Sequence, residues 1–422
     1  MPIYIRGSEL RGTIRVPPSK SYTHRALICA GLAEGKSEIV APLICDDTLR
    51  TINGLRALGV KVSVNRHSIE VNGGKLSPKV SLIECGASGT TLRFLTGVCS
   101  TINSKVVLTG SGSLLRRPIG ELVKALNRLG ARVISAGDYP PVIVRGKLRG
   151  GIADIRGDIS SQFISAVLIA APLAEEGAEV IVTTKLESRS YVRMTIEVQN
   201  AYGVNVQVLE RPRLRFSVSP SEYEAGVFHV EGDWSSAAYL LAGSAISGRV
   251  KVVGVDPQSI QADRRILDVI EQAGARVHQG PSWVEVEGED LEGFRFDVSD
   301  SPDLFPTLAA MAAVADGVSE IAGIKRNAFK ESNRIEMVLY NLRRLGVEAW
   351  LKDDRMIIKG RRFLKGGIVK TGGDHRIAMA FSLLGLRADK GIVIDDGTCI
   401  RKSYPNFWRD LSKLGVMVGR PT

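Results

Sequence analysis

The sequence has few of the residues from which metal sites and disulfide frameworks are built. Its 422 residues include five cysteines and five histidines, and no two cysteines form a Cys-x-x-Cys pair. The cysteines also lie far from any histidine-rich spacing of the kind that binds zinc. We therefore expect no metal site, no disulfide framework and a reducing compartment, the cytoplasm.

Long apolar runs are also missing. The two most apolar segments, residues 163–174 and 234–248, contain Gly, Ser or Pro and fall short of the roughly 20 residues that span a bilayer. The first residues, MPIYIRGSELRG, lack the apolar core of a signal peptide. These features predict a soluble, cytoplasmic protein with no membrane partner.

What the chain does have is positive charge. Its net charge is +11, with 44% hydrophobic and 24% charged residues, which is a globular composition. The charge implies an anionic partner: nucleic acid, an acidic membrane surface, or small phosphorylated or carboxylated substrates. A nucleic-acid-binding protein is one alternative, but the basic residues lack the interleaved aromatics of single-strand binders. We expect no nucleic-acid partner.

A six-fold repeat organises the sequence. A helix-like pattern that ends in glycine and leads into a strand recurs at intervals of 69 to 73 residues. Glycine suits the left-handed C-cap of a helix, so each repeat contains a helix, a cap and a strand. The glycines are Gly59, Gly130, Gly203, Gly274, Gly346 and Gly415.

A second series runs in step with the first and is apolar nearly all round, which predicts buried helices with strands outside them. Its segments are residues 24–35, 89–100, 160–176, 235–248, 303–317 and 375–386. The predicted N-caps are Ser21 or Thr23, Ser88, Ser160, Ser235, Ser301 followed by Pro302, and Asp374. Six such helix N-termini would gather positive potential that favours anions.

Six repeats in two groups of three predict two similar domains. The break falls near residues 227–236, which gives an amino-terminal domain of residues 18–230. Residues 1–17 have no helix of their own, so we expect them to add a strand to a carboxy-terminal domain of residues 231–422. This α/β architecture predicts a clamp, with the helix N-termini facing an interdomain cleft that holds the active site.

Several cations lie at predicted helix starts, where the helix dipole disfavours them by roughly 0.3–1 kcal/mol. His-Arg pairs head two buried segments, with Arg25 in one and Arg376 in the other, and Arg117 directly precedes Pro118. Lys20 lies in a Pro-bounded loop beside the first of these segments. An intervening anion would resolve each conflict, although a solvated charged loop would explain Lys20 equally well.

Residues 326–336 set Lys330 and Arg334 four apart, which predicts one helical face with Glu331 beside them. Pairing of Glu331 with Arg334 would satisfy this arrangement locally. Asp303 falls in a predicted first helical turn, where an acid ordinarily complements the dipole. Among so many cations, its carboxylate is also an available general base.

Ten ordered motifs along almost the entire chain carry a family resemblance. They read SKSYTHR, GTTLR, RPIG, SSQF, SRSY, EGDWSSA, PD, KESNR, DHRIAM and KSYP. The sequence resembles the 5-enolpyruvylshikimate-3-phosphate (EPSP) synthase family. The resemblance implies a two-domain inside-out α/β barrel of six βαβαββ repeats, three per domain, with buried parallel helices. It also implies a monomer with no metal and no organic cofactor.

The resemblance further implies the reaction and its residues. The carboxyvinyl group of phosphoenolpyruvate passes to the 5-hydroxyl of shikimate 3-phosphate, and phosphate leaves through a tetrahedral adduct. Residues implied to bind shikimate 3-phosphate are Lys20, Ser21, Arg25, Ser160, Ser161, Gln162, Ser188, Tyr191, Asp303 and Lys330. Those implied to bind phosphoenolpyruvate are Lys20, Gly89, Arg117, Gln162, Arg334, Arg376 and Lys402. The implied catalytic residues are Lys20, Asp303 as base, and Glu331 or Lys330 as proton donor.

Three positions depart from the family's commonest pattern: Ala87, Phe94 and Arg326. They put the affinity for phosphoenolpyruvate and for its mimic glyphosate in doubt, although Gly89 leaves room for the inhibitor. The nearest alternative is UDP-N-acetylglucosamine enolpyruvyl transferase, which shares the fold. That family usually carries a cysteine in the loop at residues 110–120, and this loop has none.

Overall fold

The six glycines of the repeat each end a helix in the left-handed backbone region, with φ between 80° and 98°. At this φ an L side chain is strained, which explains why glycine recurs there. The computed structural model describes residues 1–7, 9–288 and 290–421, and this part of the chain forms twelve α-helices and twenty-four strands. The predicted spacing of the repeats therefore corresponds to real helix ends.

The helices form the two expected series. The first-series helices, those that end in the repeat glycines, are α2 Asp46–Ala57, α4 Gly120–Arg128, α6 Arg189–Ala201, α8 Ile266–Gln272, α10 Arg334–Arg344 and α12 Phe407–Lys413. The second-series helices are α1 Lys20–Leu32, α3 Gly89–Cys99, α5 Ser161–Ala170, α7 Trp234–Ile246, α9 Phe305–Val314 and α11 His375–Ser382. All ten residues of α9 are buried, as are all but Ser235 in α7.

The strands form six four-stranded sheets, three in residues 18–230 and three in the rest of the described chain. The first three sheets contain β3 Gly35–Val40, β4 Lys61–Val64, β5 Ser68–Gly73, β6 Leu82–Glu84, β7 Val106–Thr109, β8 Arg132–Ala136, β9 Tyr139–Arg145, β10 Gly151–Ile155, β11 Ala178–Val182, β12 Gln207–Leu209, β13 Arg215–Val218 and β14 Val227–His229. Their orders are β14-β3-β5-β4, β6-β7-β9-β8 and β10-β11-β13-β12.

The other three sheets repeat this topology. They contain β1 Ile3–Arg6, β2 Leu10–Arg15, β15 Gly248–Val253, β16 Arg276–Gly280, β17 Trp283–Glu287, β18 Arg295–Asp297, β19 Val318–Ala322, β20 Glu348–Lys352, β21 Arg355–Lys359, β22 Gly367–Val369, β23 Ile392–Ile394 and β24 Met417–Gly419. Their orders are β16-β17-β15-β2, β18-β19-β21-β20 and β22-β23-β1-β24. Each of the six sheets has one parallel pair and two antiparallel pairs, the pattern of a βαβαββ unit.

Buried helices behind half-exposed sheets confirm the inside-out prediction within each half. Along β17, Val284 and Val286 are fully buried, while the alternating Trp283, Glu285 and Glu287 are partly exposed. Successive strand side chains point to opposite faces, so each sheet turns one face to the helices and the other to solvent. The hydrophobic core is therefore made mostly of helix.

The chain divides into two compact units, Pro18–Val230 and Met1–Pro17 with Glu231–Thr422, called here the amino-terminal and carboxy-terminal units. Residues 1–17 supply two strands where one was expected, and the two join different sheets. β1 pairs with β23 and β24, whereas β2 runs parallel to β15 with Leu10 opposite Gly248. Gly7 lies between the two strands, and its backbone N–H donates to Gly385 O.

Three predicted N-caps are confirmed, namely Ser88, Ser160 and Asp374. The cap of α1 is Ser19, so the prediction of Ser21 or Thr23 was wrong, and the helix starts at Lys20. The cap of α7 is Asp233, whose Oδ1 accepts from Ser236 N at 2.7 Å, so Ser235 lies inside the helix. A carboxylate accepts more strongly than a hydroxyl, which favours the earlier start.

The start of α9 also differs from the prediction. Pro302–Leu304 form a 3₁₀ turn, and the α-helix begins at Phe305. Asp303 therefore lies in the turn before the helix. Among the described residues, no helix is both long and apolar enough to cross a membrane.

Small residues allow the buried helices to approach closely, and this generates a stability prediction. A Cβ at Gly97 of α3 would lie 2.4 Å from Ala166 O of α5, a backbone atom that has little room to move. We expect Gly97→Ala to lower the free energy of unfolding by about 1–3 kcal/mol, measured by urea denaturation.

Gly31→Ala is the matched control. Its Cβ would meet only the flexible end of Leu55, at 2.7 Å. Alanine also gains up to about 1 kcal/mol of helix propensity over glycine. Equal destabilisation by the two variants would contradict the assigned role of the backbone contact.

Candidate active site

Lys20 opens helix α1 and is held by an acid from the neighbouring helix. Its Nζ lies 3.0 Å from Asp47 Oδ2, and the two side chains are 15% and 7% exposed. Asp47 belongs to the first turn of α2, where an acid complements the helix dipole. That ordinary explanation is why sequence reasoning missed Asp47. The ion pair fixes the ammonium group at the start of a buried helix.

Arg25 lies in the second turn of α1, because the helix begins at Lys20, so the predicted dipole conflict was wrong for this residue. Its guanidinium is satisfied by protein: Nε donates to Thr195 Oγ1 at 2.8 Å, and Nη1 and Nη2 donate to Ser21 O and Tyr191 O at 2.9 Å. Burial lowers the pKa of Arg25 to about 10. These bonds join α1 to the start of α6, where Tyr191 lies.

Phe94, one of the three positions that depart from the family's commonest pattern, contacts Arg25 in the structure. Its ring centroid lies 5.3 Å from Cζ of Arg25, a cation–π distance. Phe94 is fully buried on α3. The aromatic ring of Phe94 therefore packs against the Arg25 guanidinium and supports it.

A second cluster links α3, α5 and the loop before α4. Arg93 Nη1 donates to Gln162 Oε1 at 2.7 Å and to Ser160 Oγ at 3.3 Å, while Gln162 Nε2 donates to Thr90 Oγ1 at 2.9 Å. The Gln162 amide is thereby fixed with its nitrogen toward α3. Arg93 stands in the GTTLR motif, yet it was given no role from sequence.

Gly89 and Arg117 belong to the same region of the amino-terminal unit. A Cβ at Gly89 would lie 2.9 Å from Arg117 Nη1, so the missing side chain makes room for a buried guanidinium. Ser161 follows the α5 cap, and Ser188 is buried at the cap of α6. The predicted residues of this unit therefore gather at helix starts.

His24 completes a buried chain of polar groups. Its Nδ1 lies 2.8 Å from Thr51 Oγ1, which lies 2.7 Å from Thr91 Oγ1, which in turn lies 2.8 Å from Ser88 Oγ. The chain connects α1 with the N-cap of α3, immediately before Gly89. His24 thus supports the position of that helix start.

In the carboxy-terminal unit, Asp303 is surrounded by cations. Its Oδ1 lies 2.7 Å from Arg334 Nη1 and 3.3 Å from Lys330 Nζ, and its Oδ2 lies 2.8 Å from Arg376 Nη2. Burial alone would raise the pKa of Asp303, but the three cations outweigh it and hold the pKa well below the usual value. Asp303 is therefore a stable carboxylate whose charge is shared among three partners.

Arg334 is the centre of this cluster. It is completely buried and donates to three carboxylates: Asp374 Oδ2 at 2.8 Å, Asp303 Oδ1 at 2.7 Å and Glu331 Oε2 at 2.6 Å. Burial would lower its pKa, but the acids outweigh burial and raise it. The guanidinium is thus charged and fixed in orientation.

The expected helical face for Lys330 and Arg334 was wrong. Helix α10 begins at Arg334 with Asn333 as its cap, and residues 325–329 form a 3₁₀ turn. The expected pairing of Glu331 with Arg334 is present. Because Lys330 lies between the 3₁₀ turn and α10, in an extended backbone conformation, its side chain contacts Asp303 and does not lie on a helix surface.

Lys330 and Lys402 each contact one carboxylate of this cluster, Asp303 and Glu331 respectively. Burial lowers the pKa of Lys330, helped by nearby Arg334 and Arg326 and opposed by Asp303 and Glu331; the resulting pKa is about 8. Lys402 Nζ lies 3.6 Å from Glu331 Oε1. Arg326, a departure from the family pattern, therefore acts on the ionisation of Lys330.

Arg376 does show the predicted dipole conflict, since it lies in the first turn of α11. Nη2 contacts Asp303, and Nη1 donates to Tyr239 Oη at 3.2 Å. Asp374 accepts from Arg376 N at 2.9 Å, so one acid caps α11 and binds Arg334. The six predicted residues of this unit, Asp303, Lys330, Glu331, Arg334, Arg376 and Lys402, thus form one cluster.

Cationic side chains held at the starts of buried helices, beside an ionised carboxylate, define an α/β enzyme class that acts on small anionic substrates. Comparison with known proteins specifies the class. A family model described as EPSP synthase (3-phosphoshikimate 1-carboxyvinyltransferase) matches residues 5–411.

Individual relatives agree with the family match. A 3-phosphoshikimate 1-carboxyvinyltransferase of Methanothermobacter thermautotrophicus is 44% identical over 415 residues, 97% of each chain. One from Aeropyrum pernix is 40% identical, covering 99% of this chain and 96% of that relative. The solved EPSP synthase of Acinetobacter baumannii has a TM-score of 0.82 at 26% identity, covering 99% of both chains.

The chain belongs to the EPSP synthase family. It is a transferase enzyme of the shikimate pathway, which leads to the aromatic amino acids. The comparisons match the fold over essentially the whole length and do not favour the UDP-N-acetylglucosamine alternative.

The Arg334 cluster predicts a large stability effect. Asp374→Asn leaves a buried guanidinium short of one counter-charge, so we expect the free energy of unfolding to fall by about 3 kcal/mol or more. Asp290→Asn is the control, because Asp290 pairs with Arg362 at a surface where both side chains are over 60% exposed. Asp290→Asn should lower the free energy of unfolding by less than about 1 kcal/mol in the same urea titration. Similar losses from both would contradict the central position of Arg334.

Proposed function

We propose that this chain transfers the carboxyvinyl group of phosphoenolpyruvate to the 5-hydroxyl of shikimate 3-phosphate and releases phosphate. The carrying observation is Asp303, an ionised carboxylate held by Lys330, Arg334 and Arg376. A base among cations suits a reaction that removes a hydroxyl proton beside two multiply charged anions. The printed names of the relatives support the same reaction.

The amino-terminal unit is proposed to bind shikimate 3-phosphate. Backbone N–H groups at helix starts and hydroxyl donors suit a phosphate and a carboxylate. The proposed residues are Lys20, Ser21, Arg25, Ser160, Ser161, Gln162, Ser188 and Tyr191, with Asp303 and Lys330 from the other unit. We add Arg93 as a positioning residue, because it orients both Gln162 and Ser160.

Phosphoenolpyruvate is proposed to bind Lys20, Gly89, Arg117, Gln162, Arg334, Arg376 and Lys402. Arg334 already donates to three carboxylates, so we assign it the further role of positioning Asp303 and Glu331. Gly89 allows the Arg117 guanidinium to approach the start of α3, and a cation placed there supports inhibition by the phosphoenolpyruvate mimic glyphosate.

The proposed chemistry proceeds in two balanced steps. Asp303 removes the proton from the 5-hydroxyl as its oxygen bonds to carbon 2 of phosphoenolpyruvate, while carbon 3 gains a proton. A proton then returns from carbon 3 to the group that delivered it, and phosphate leaves carbon 2 with the proton held by Asp303, which restores the double bond. We assign proton delivery to Lys330, since an ammonium with a pKa of about 8 is matched to neutral operation. Glu331 and Lys20 hold charge around the reacting atoms.

We further propose a cytoplasmic monomer that binds neither nucleic acid nor membranes. The absence of a cysteine framework supports a cytoplasmic location. The use of cations within the two clusters supports the absence of nucleic-acid and membrane partners. Sedimentation at increasing concentration tests the monomer. A phosphate-release assay with each substrate omitted in turn tests the reaction, and UDP-N-acetylglucosamine in place of shikimate 3-phosphate tests the alternative acceptor.

Asp303→Asn tests the base directly. The variant keeps the shape of the side chain but cannot accept the proton, so we expect kcat to fall by about 10²–10⁴-fold. Shikimate 3-phosphate binding, measured by calorimetry, should change only a few-fold, about 1 kcal/mol or less. Asp316→Asn, at an exposed carboxylate, is the control. Near-normal turnover by Asp303→Asn would remove Asp303 as the base.

The lowered pKa of Lys330 predicts an alkaline limit. Above a pH of about 8 the ammonium loses its proton, so kcat should fall as the pH rises through that value. The arginine in Lys330→Arg stays protonated, so the residual activity of this variant should not fall as the pH rises through about 8. Lys352→Gln, at an exposed lysine, should show the same fall as wild type. If the fall in kcat persists in Lys330→Arg, another group causes it.

A further inference from the structure

Asp263 is a buried carboxyl that the proposed mechanism does not use. It is 2% exposed and lies in the 3₁₀ turn Ala262–Arg265. Its Oδ2 accepts a hydrogen bond from Ser235 Oγ, and its Oδ1 is buried with no hydrogen-bond partner among the described residues. A carboxylate so poorly supplied with donors is costly to ionise.

Helix α7 places this carboxyl beside the reaction cluster. Ser235, which bonds Asp263, and Tyr239, which bonds Arg376, are four residues apart on α7. Four residues rise about 6 Å and lie on the same helix face. Because Arg376 also binds Asp303, α7 links the two carboxyls: Ser235 bonds Asp263, and Tyr239 on the same helix face bonds the arginine that holds Asp303.

The charged groups around Asp263 act in opposing directions. Burial and the negative charge of Asp303 raise the pKa of Asp263, which lies at about 7 when all of its neighbours are included. Arg376 and the Ser235 hydrogen bond lower the pKa, while Asp233 at the start of α7 raises it. The two arginines of its own turn are engaged elsewhere: Arg264 donates to Pro257 O at 3.1 Å, and Arg265 pairs with Asp268 at 3.2 Å.

We propose that Asp263 is a positioning residue whose state of charge sets how firmly Arg376 holds Asp303, and so sets the base strength of Asp303. This inference rests on the proposed role of Asp303 as the base. When Asp263 is neutral, the positive charge of Arg376 acts on Asp303 alone, so Asp303 has a low affinity for protons. When Asp263 is ionised, it repels the charge of Asp303 and shares Arg376, which makes Asp303 a stronger base.

The sign of the pH dependence follows from this arrangement. Asp263 ionises as the pH rises through about 7, so kcat should rise over that interval. Asp303, whose pKa is well below the usual value, stays ionised throughout, so its own titration does not change kcat in that interval. Lys330 limits activity only as the pH passes about 8. A half-unit rise in the pKa of Asp303 corresponds to about a threefold gain in proton affinity.

The test compares pH profiles of kcat for wild type, Asp263→Asn and Ser235→Ala. Wild type should gain about threefold or more through neutral pH, while Asp263→Asn should remain at the level of the acid plateau. Ser235→Ala should move the midpoint to higher pH, because it removes a bond that favours the ionised form. Asp268→Asn, at an exposed surface pair, is the matched control and should keep the wild-type profile.

A second readout needs no substrate. Carbon-13 NMR of aspartate-labelled free protein should show a carboxyl that titrates near pH 7 in wild type and is missing in Asp263→Asn. If no carboxyvinyl transfer occurs in any assay, the proposed function fails, yet this titration can still be read. An unchanged pH profile in Asp263→Asn overturns the proposal. Should that variant fail to fold, an unmoved midpoint in Ser235→Ala overturns it instead.

Discussion

Arg334 is the residue on which the chemistry of the carboxy-terminal unit depends. It is fully buried, and its guanidinium joins Asp303, Glu331 and Asp374, which come from three separate segments of the chain. Three acids that close together would repel one another without a common cation. The same arginine begins α10, while Asp374 caps α11, so the ion cluster and the helix starts hold each other in place.

This arrangement explains how one cluster holds groups of very different proton affinity. Asp303 is surrounded by cations and remains a carboxylate, whereas burial with a single hydroxyl donor raises the pKa of Asp263 to about 7. Lys330, beside two arginines and an acid, has a pKa of about 8. Environments that separate the pKa values of neighbouring groups are how proteins assign acid and base roles.

The repeat architecture was predictable because backbone constraints repeat visibly in sequence. Glycines such as Gly59 and Gly130 mark left-handed helix ends, and the apolar series marks buried helices. Helix starts were less predictable, since Ser19 and Asp233 compete with nearby hydroxyls that are equally good caps. Residues 1–17 were expected to add one strand, whereas Gly7 separates β1 from β2 and the two strands join different sheets.

The motifs pointed to side chains that the structure brings together within each unit, but they did not show the contacts of those side chains. Motifs identified Arg25 and Arg334 as important cations, but only the structure shows that each is satisfied by protein groups. Asp47 was missed because an acid in a first helical turn has an ordinary explanation, and Arg93 because its partner Gln162 lies far along the chain. Asp263 carries no sequence signal, since its significance comes from burial and from α7.

The most direct test of this account is the ionisation of Asp303 itself. Carbon-13 NMR of aspartate-labelled protein, with the Asp303 signal assigned by its loss in Asp303→Asn, measures that carboxyl in the free enzyme. The account predicts that Asp303 remains ionised when the pH is lowered to 3.8, the ordinary pKa of an aspartate, because three cations stabilise the carboxylate. A carboxyl that takes up its proton at or above that value would contradict the account, since the cluster would not then stabilise the base.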